Sequence, residues 1–214
     1  MFKSITRSQS LQMAQLVLSW TSKPSANIVR KSWISTVESG TAYENLVVST
    51  FNQLGASLER VGGASDQGID FRGLWVLPEQ PSFYVVGQCK HYERKKIGPS
   101  VIREWEGVMS RQEVDTLGVV AASSGFTRSG VNAALSSVFP IVLATVDPKG
   151  ISGADEDGSR GDIRGFVWNK AAMGFIGQMM VAKKHYDVRV VDLADPAEFT
   201  LQLLWDGRPL PISK

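Results

Sequence analysis

The sequence predicts an α/β fold: a mixed β-sheet core flanked by helices, followed by a small C-terminal α+β extension. Three patterns carry that reading. Residues 69–77 and 82–90 read as two strands joined by the turn-forming Pro78-Glu79-Gln80-Pro81, an antiparallel hairpin. Leu117–Ala122 and Ile141–Val146 are apolar runs without alternation, as strands covered on both faces require. Between them Thr127–Phe139 suits a helix, and strand, helix, strand in that order is the crossover unit of a parallel pair.

The other elements fall around this core. From Gly40 to Gly55 the apolar residues Tyr43, Leu46, Val47, Phe51 and Leu54 recur at helical spacing, and Gly55 fits the stop. Residues 57–61 read as a short strand leading into a Gly62-Gly63 turn, and residues 99–112 as a helix. Pro148 to Gly161 is polar and glycine-rich, the composition of a mobile loop. A helix is expected over Trp168–Lys184, its Met173, Phe175, Ile176, Met179 and Met180 forming core, then strands near Val188–Leu193 and Leu201–Asp206. The expected organisation is a basic N-terminal segment (1–37), a core (38–147), a loop (148–163) and an extension (164–214) packing on the core.

Composition narrows the chemistry. Hydrophobic residues make up 43% and charged residues 21%, enough apolar surface for a real core. No apolar run reaches the about 18 residues of a membrane span. Cys89 is the single cysteine and His91 and His185 the only histidines, so an internal disulfide is excluded and a zinc centre disfavoured. Metal binding would fall to carboxylates, and so to magnesium, with manganese as a substitute.

Charge is unevenly spread. Residues 1–37 hold Lys3, Arg7, Lys23, Arg30 and Lys31 and no acidic residue; removing these five from 23 leaves 18 basic against 21 acidic, a net of −3 for the rest. Basic, rich in serine and threonine, free of acid and apolar over Leu11–Trp20, this segment reads as a mitochondrial presequence directing the chain to the matrix. The plainer alternative is a solvated arm, or one that touches phosphates.

The chemistry is concentrated on the hairpin. Successive strand side chains point to opposite faces, so Asp70 and Arg72 share one face of their strand, and Gln88 and Lys90 share a face of theirs while Cys89 turns toward the core. If the two strands pair through the Pro78–Pro81 turn, Asp70, Gln88 and Lys90 converge on one polar surface. Phosphodiester cleavage needs such a set. A hard cation held by oxygen neutralises phosphate charge and lowers the pKa of bound water, and a lysine orients that water and stabilises developing charge. Asp70, the Gln88 side-chain oxygen and the Cys89 backbone carbonyl would be the ligands. Glu44, on the preceding helix, would add a carboxylate through water.

Taken together, Gly40-x-x-Tyr43-Glu44, Arg60-Val61-Gly62-Gly63, Asp66-x-Gly68-Ile69-Asp70 and Gln88-Cys89-Lys90 resemble the Mrr-like branch of the PD-(D/E)xK restriction-endonuclease superfamily. The likeness continues through Ile102-Arg103-Glu104, Gly118–Ala122, Phe126-Thr127 and Ile141–Asp147. That branch often carries glutamine in a QxK motif. More narrowly, the basic leader, Trp168-Asn169 and Leu204-Trp205-Asp206-Gly207 are similar to the fungal mitochondrial proteins required for respiratory growth, family seven. The resemblance implies a restriction-endonuclease-like fold and magnesium-dependent hydrolysis of DNA, with Asp70 and Gln88 as ligands, Lys90 at the water and Glu44 assisting. Gln88 is the departure that matters, because a neutral amide binds a hard cation less well than a carboxylate.

Each residue also has a plainer reading. Asp70 and Lys90 could form a cross-strand ion pair, and Glu44 could be a solvated helix residue. Asp66 shapes a turn rather than binding metal, and Glu104 and Glu106 lie on an exposed helix. Arg94, Lys95 and Lys96 form either a solvated loop or, with Arg72, contacts to nucleic-acid phosphates. His91 and Tyr92 have no assigned role. The function expected is a DNA endonuclease, acting on double-stranded or branched DNA. The alternatives are a DNA-binding module that kept the fold and lost catalysis, or an RNA nuclease. A homodimer would supply the two active sites of a double-strand cut.

Overall fold

The computed structural model describes residues 36–61, 67–148, 161–185 and 199–210. In chain order these form α1 (Thr36–Asn52), β1 (Ala56–Arg60), β2 (Phe71–Trp75), β3 (Phe83–Lys90), α2 (Pro99–Met109), β4 (Thr116–Ala122), α3 (Arg128–Ser136) and β5 (Ile141–Asp147). There follow β6 (Asp162–Trp168), the helical turn α4 (Met173–Ile176), β7 (Met179–His185), β8 (Phe199–Trp205) and β9 (Arg208–Pro209). A six-stranded sheet runs in the order β1-β2-β3-β4-β5-β6, and β7-β8-β9 form a second sheet.

The pairing follows the local signals. In the turn between β2 and β3 the Gln80 N–H bonds the Leu77 carbonyl at 3.3 Å. Pro78 occupies its second position and Glu79 follows with φ of 61°, the pattern of a type II turn. That turn makes β2 and β3 antiparallel. β4 and β5 then add in parallel through crossovers containing α2 and α3, and β6 closes the far edge antiparallel to β5. All seven residues of β4 are buried, as its missing alternation requires. Among the described residues, no helix is long and apolar enough to cross a membrane.

Both faces of the large sheet carry core. On one, Tyr43, Leu46, Val47 and Phe51 of α1 meet Phe71, Trp75, Val85 and Val119, with Met179, Leu203 and Trp205 of the small sheet in the same cluster. On the other, Ile102, Trp105 and Met109 of α2 meet Val86, Val120 and Leu143. Asn169, just past β6, ties the second face together. Its carbonyl accepts the Ile141 and Ala172 N–H groups, and its amide donates to the Ala134, Ser137 and Phe139 carbonyls at 2.7 to 3.1 Å.

Several expectations need correcting. The helix expected over Trp168–Lys184 is instead the end of β6, a short helical turn and β7. Its methionines imitate helical spacing, but main-chain pairing of β7 with β8 decides the local structure. β6 itself was not anticipated, because Asp162–Trp168 neither alternates cleanly nor runs apolar. The first helix starts at Thr36 rather than Gly40. The Gly62-Gly63 turn, the interior of the Pro148–Gly161 loop and the Val188–Leu193 strand lie outside the described residues.

Gly87 is required by the fold. It sits opposite Phe71 in the β2–β3 ladder, and a Cβ built there would lie 1.9 to 2.4 Å from three atoms of the Phe71 ring, which is fully buried. Gly87→Ala is therefore expected to destabilise the protein by about 1–3 kcal/mol, the cost of overpacking a filled core. A denaturation midpoint unchanged from wild type would contradict that packing argument.

Candidate active site

The site forms where β2 stops and β3 continues. Asp70 lies one residue before β2, and its main chain is not regular strand: its N–H bonds Gly87 on β3 at 2.8 Å while its carbonyl accepts from Val61 beside β1 at 2.9 Å. The ladder no longer supplies a carbonyl to the next N–H of β3 on that edge, that of Cys89. The Asp70 carboxylate takes it instead, at 2.6 Å. A carboxylate accepting a backbone N–H is a strong, orienting hydrogen bond.

Strand geometry places the neighbouring groups. Within a strand a residue's N–H and C=O leave on the same edge. The Cys89 carbonyl thus points to the edge where Asp70 stands, whereas the Lys90 carbonyl accepts from Ser123 on the β4 side at 3.2 Å. Gln88 and Lys90 pair with Val120 and Ala122, residues of the α2-side core, so both side chains belong to that face. Cys89 pairs with Ala121 and turns to the α1 side, as period two demands.

Gln88 is anchored from one end only. Its amide nitrogen donates to the Gly68 carbonyl at 3.2 Å. Gly68 has φ of 85°, which a side chain would strain, and its Cα faces the Gln88 amide and Val108. The Gln88 Oε1 is buried and has no hydrogen-bond partner among the described residues. The same is true of His91 Nδ1 and Trp105 Nε1.

Glu44 projects from α1, and its carboxylate is held by Arg60 at the end of β1, with Nε 2.5 Å from Oε2. The same guanidinium reaches Thr41 at 3.5 Å. The charges that bear on the Cys89 thiol show which groups gather here. Burial pushes the thiol up, the negative charges of Asp70 and Glu44 push it further, and Lys90 opposes them. The charges of Asp70, Glu44 and Lys90 are thus all felt at the Cys89 side chain. Among the described residues no group of three or more His, Cys, Asp or Glu is arranged to hold a metal, so a cation here would need the amide and carbonyl oxygens.

The other expected residues are more dispersed. Arg72 is exposed and faces Glu59 across β1 at 3.7 Å, a surface pair of small energetic weight. Arg94, Lys95 and Lys96 are exposed on the loop that leaves β3 directly after the site. Ser124 Oγ donates to the Lys95 carbonyl at 2.6 Å, which fixes that loop over the end of β4. Glu104 is exposed on α2, Glu106 is half-buried, and Asp66 lies outside the described residues.

Sequence reasoning gave no role to a contact that joins the two halves of the site. The His91 ring stacks on Tyr43, with centroids 5.0 Å apart and planes at 21°. The Tyr43 hydroxyl donates to the Val146 carbonyl at 3.2 Å. Tyr43 adjoins Glu44 on α1 and His91 adjoins Lys90 beyond β3, so the stack fixes helix against strand at the level of both. Burial lowers the His91 pKa, with Glu93 opposing. Aromatic neighbours at positions 43 and 91 were visible in the sequence; their contact was not.

The raised thiol yields a test. With its pKa held up, Cys89 carries less thiolate in the folded protein than a free cysteine at any given pH. Labelling by a thiol-specific disulfide reagent at pH 8 should be slow in the native protein and prompt after unfolding. Fast stoichiometric labelling of native protein would contradict the burial and the surrounding negative charge.

The chain is similar to known proteins. An uncharacterized mitochondrial protein of Schizosaccharomyces pombe is 32% identical over 158 residues, covering 72% of this chain and 60% of the relative. The chain thus spans about three fifths of that protein's length. Among solved structures, the MspJI restriction endonuclease in complex with a 27-mer oligonucleotide is 18% identical and covers 66% of this chain and 30% of its own, with a TM-score of 0.41. A family profile described as restriction endonuclease, the Mrr catalytic type, matches residues 37–147, from α1 through β5, and the chain belongs to that family.

Proposed function

We propose that the protein is a metal-dependent endonuclease that hydrolyses DNA phosphodiester bonds and acts on mitochondrial DNA in maintenance, repair or recombination. The observation that carries this reading is the buried Gln88 Oε1, without a hydrogen-bond partner among the described residues, on the strand whose next N–H, that of Cys89, holds the Asp70 carboxylate. A buried carbonyl oxygen left without a donor costs about 1–3 kcal/mol, and a hard cation is the partner it suits. Asp70, Gln88 and the Cys89 carbonyl would hold the ion, with Glu44 approaching through water. A bound magnesium or manganese ion would neutralise charge on the scissile phosphate and help ionise the attacking water.

The protein's own residues supply the rest. The Cys89 N–H aligns the Asp70 carboxylate, and the Gly68 carbonyl sets the rotation of the Gln88 amide so that its oxygen, not its nitrogen, faces inward. Lys90, on the Gln88 face, stabilises negative charge as the phosphate expands and orients the nucleophile. Arg60 holds the Glu44 carboxylate in place. Arg94, Lys95 and Lys96 follow directly and are suited to phosphates of the bound strand. Family membership supports the chemistry, and the mitochondrial label of the fission-yeast relative supports the compartment.

A second reading has its own observation. Glu44 is already engaged by Arg60, and Gln88 is neutral, so the site has less negative charge than two carboxylates would give. That would suit a DNA-binding module that has lost cleavage.

Plasmid incubated with the protein and magnesium should be nicked or cut, and chelation should stop it. Lys90→Ala should slow cleavage by about 10²–10³-fold with the fold retained, the scale of losing one transition-state contact. Cutting that survives this substitution would overturn the assignment of the site; binding without cleavage in magnesium or manganese would favour the second reading. Residues 1–37 fused to a fluorescent protein should direct it to mitochondria, and a diffuse cytosolic signal would overturn that expectation.

A further inference from the structure

Beside the proposed cleavage site lies an open groove of about 430 Å³, lined by Ser39, His91, Tyr92, Glu93, Ser123, Asp147 and Pro148. It sits outside the carboxyl ends of the three parallel strands. His91 follows β3, Ser123 follows β4 and Asp147 closes β5. Crevices at that edge of a parallel sheet are where α/β folds receive ligands. The first lining residue after the site is one position beyond Lys90.

We propose that this groove receives an unpaired nucleobase of the DNA strand adjoining the scissile phosphate, so that the substrate is DNA with an unpaired nucleotide rather than uninterrupted duplex. The inference rests on the endonuclease reading and deepens it. Four observations carry it. The volume lies within the range of small-ligand sites and accommodates a base with its sugar. The lining includes two aromatic rings: Tyr92 is 40% exposed, and the His91 ring is stacked on Tyr43. Every base has a π-face, and aromatic platforms bind single strands through it.

The charge distribution gives the orientation. Glu93 and Asp147 line the groove, Asp147 being paired with Arg164 at 3.2 Å. Carboxylates repel a phosphate but accept from the amino and imino groups on a base edge. On the other side of Tyr92 the balance reverses. Lys95 Nζ lies 5.9 Å from the Tyr92 ring centre, between Arg94 and Lys96 on an exposed loop. The strand's phosphates would follow the basic side while its base turns over Tyr92 into the groove.

The rim is also preformed. Tyr92 N–H donates to Ser123 Oγ at 3.0 Å, and that hydroxyl donates to the Tyr92 carbonyl at 2.9 Å. Little ordering is left for binding to impose. A base within an intact stack must first be unstacked and unpaired, at an energetic cost, to enter such a groove, whereas one in a flap or bulge already stands free of its partner.

The test uses the full chain and three fluorescent probes: a duplex, the same duplex with a single-stranded flap, and the same duplex with one bulged nucleotide. Binding is measured with chelator present, so its outcome is independent of catalysis. Wild type should bind the flapped and bulged probes roughly tenfold more tightly than the duplex, the scale of one base stacked on an aromatic ring. Tyr92→Ala should reduce the preference to near parity, and Tyr92→Phe should retain it. Equal binding of all three probes by wild type, or a preference that Tyr92→Ala leaves intact, would overturn the proposal. Selective binding without cleavage in magnesium would remove the endonuclease reading and leave the groove standing. Cleavage without selectivity would do the reverse.

Discussion

The site depends on β3 being hydrogen-bonded on both edges, antiparallel to β2 and parallel to β4. A strand fixed on two sides cannot slip, and a one-residue slip would exchange its faces. Gln88 and Lys90 would then enter the apolar cluster under α1, and Cys89 would occupy the polar end. Burial makes that exchange costly, because Phe83 and Val85 on the α1 side and Val86 on the other are nearly or fully inaccessible. Packing along the strand thus enforces the order of polar groups at its tip.

The same strand is longer than its partner, and the difference creates the geometry of the candidate site. β2 begins at Phe71 while β3 extends to Lys90. Beyond Gly87 the β2 edge of β3 has main-chain groups but no ladder, and Asp70 supplies a side chain in place of a strand. A carboxylate is thereby held beside a backbone carbonyl, two oxygens brought together without a dedicated loop. The crossover helix α2 covers the other face, and its Val108 helps confine Gly68 and the Gln88 amide.

Rigidity arrives from further away. The Tyr43–His91 stack couples α1 to the end of β3, and the Tyr43 hydroxyl carries the coupling on to β5 through Val146. Asn169 does the equivalent on the opposite face, joining the start of β5 to the end of α3. The Tyr43–His91 contact lies one position from the candidate site residues Glu44 and Lys90 on each side. Packed neighbours of this kind are how side chains on strand ends and loops acquire defined geometry.

Much of this was determined by sequence. The Pro78–Pro81 turn, the unbroken apolar runs of β4 and β5, and the helical spacing of α1 are local patterns, and local sterics and burial translate them directly. Period two alone put Gln88 and Lys90 on one face and Cys89 on the other. Pairing over long separations was beyond it. Asp70 stands outside its expected strand, Arg60 claims Glu44, and His91 lies on Tyr43 because of where the ladder ends and where α1 packs. Met179–His185 became a strand because Phe199–Trp205 lay alongside, against the helical spacing of its apolar residues. Local pattern alone sets which chemical groups stand at the tip of β3 and which face they use. Tertiary structure decided what they touch, because hydrogen-bond partners and stacking neighbours are chosen by distant segments meeting, and no local periodicity encodes that meeting.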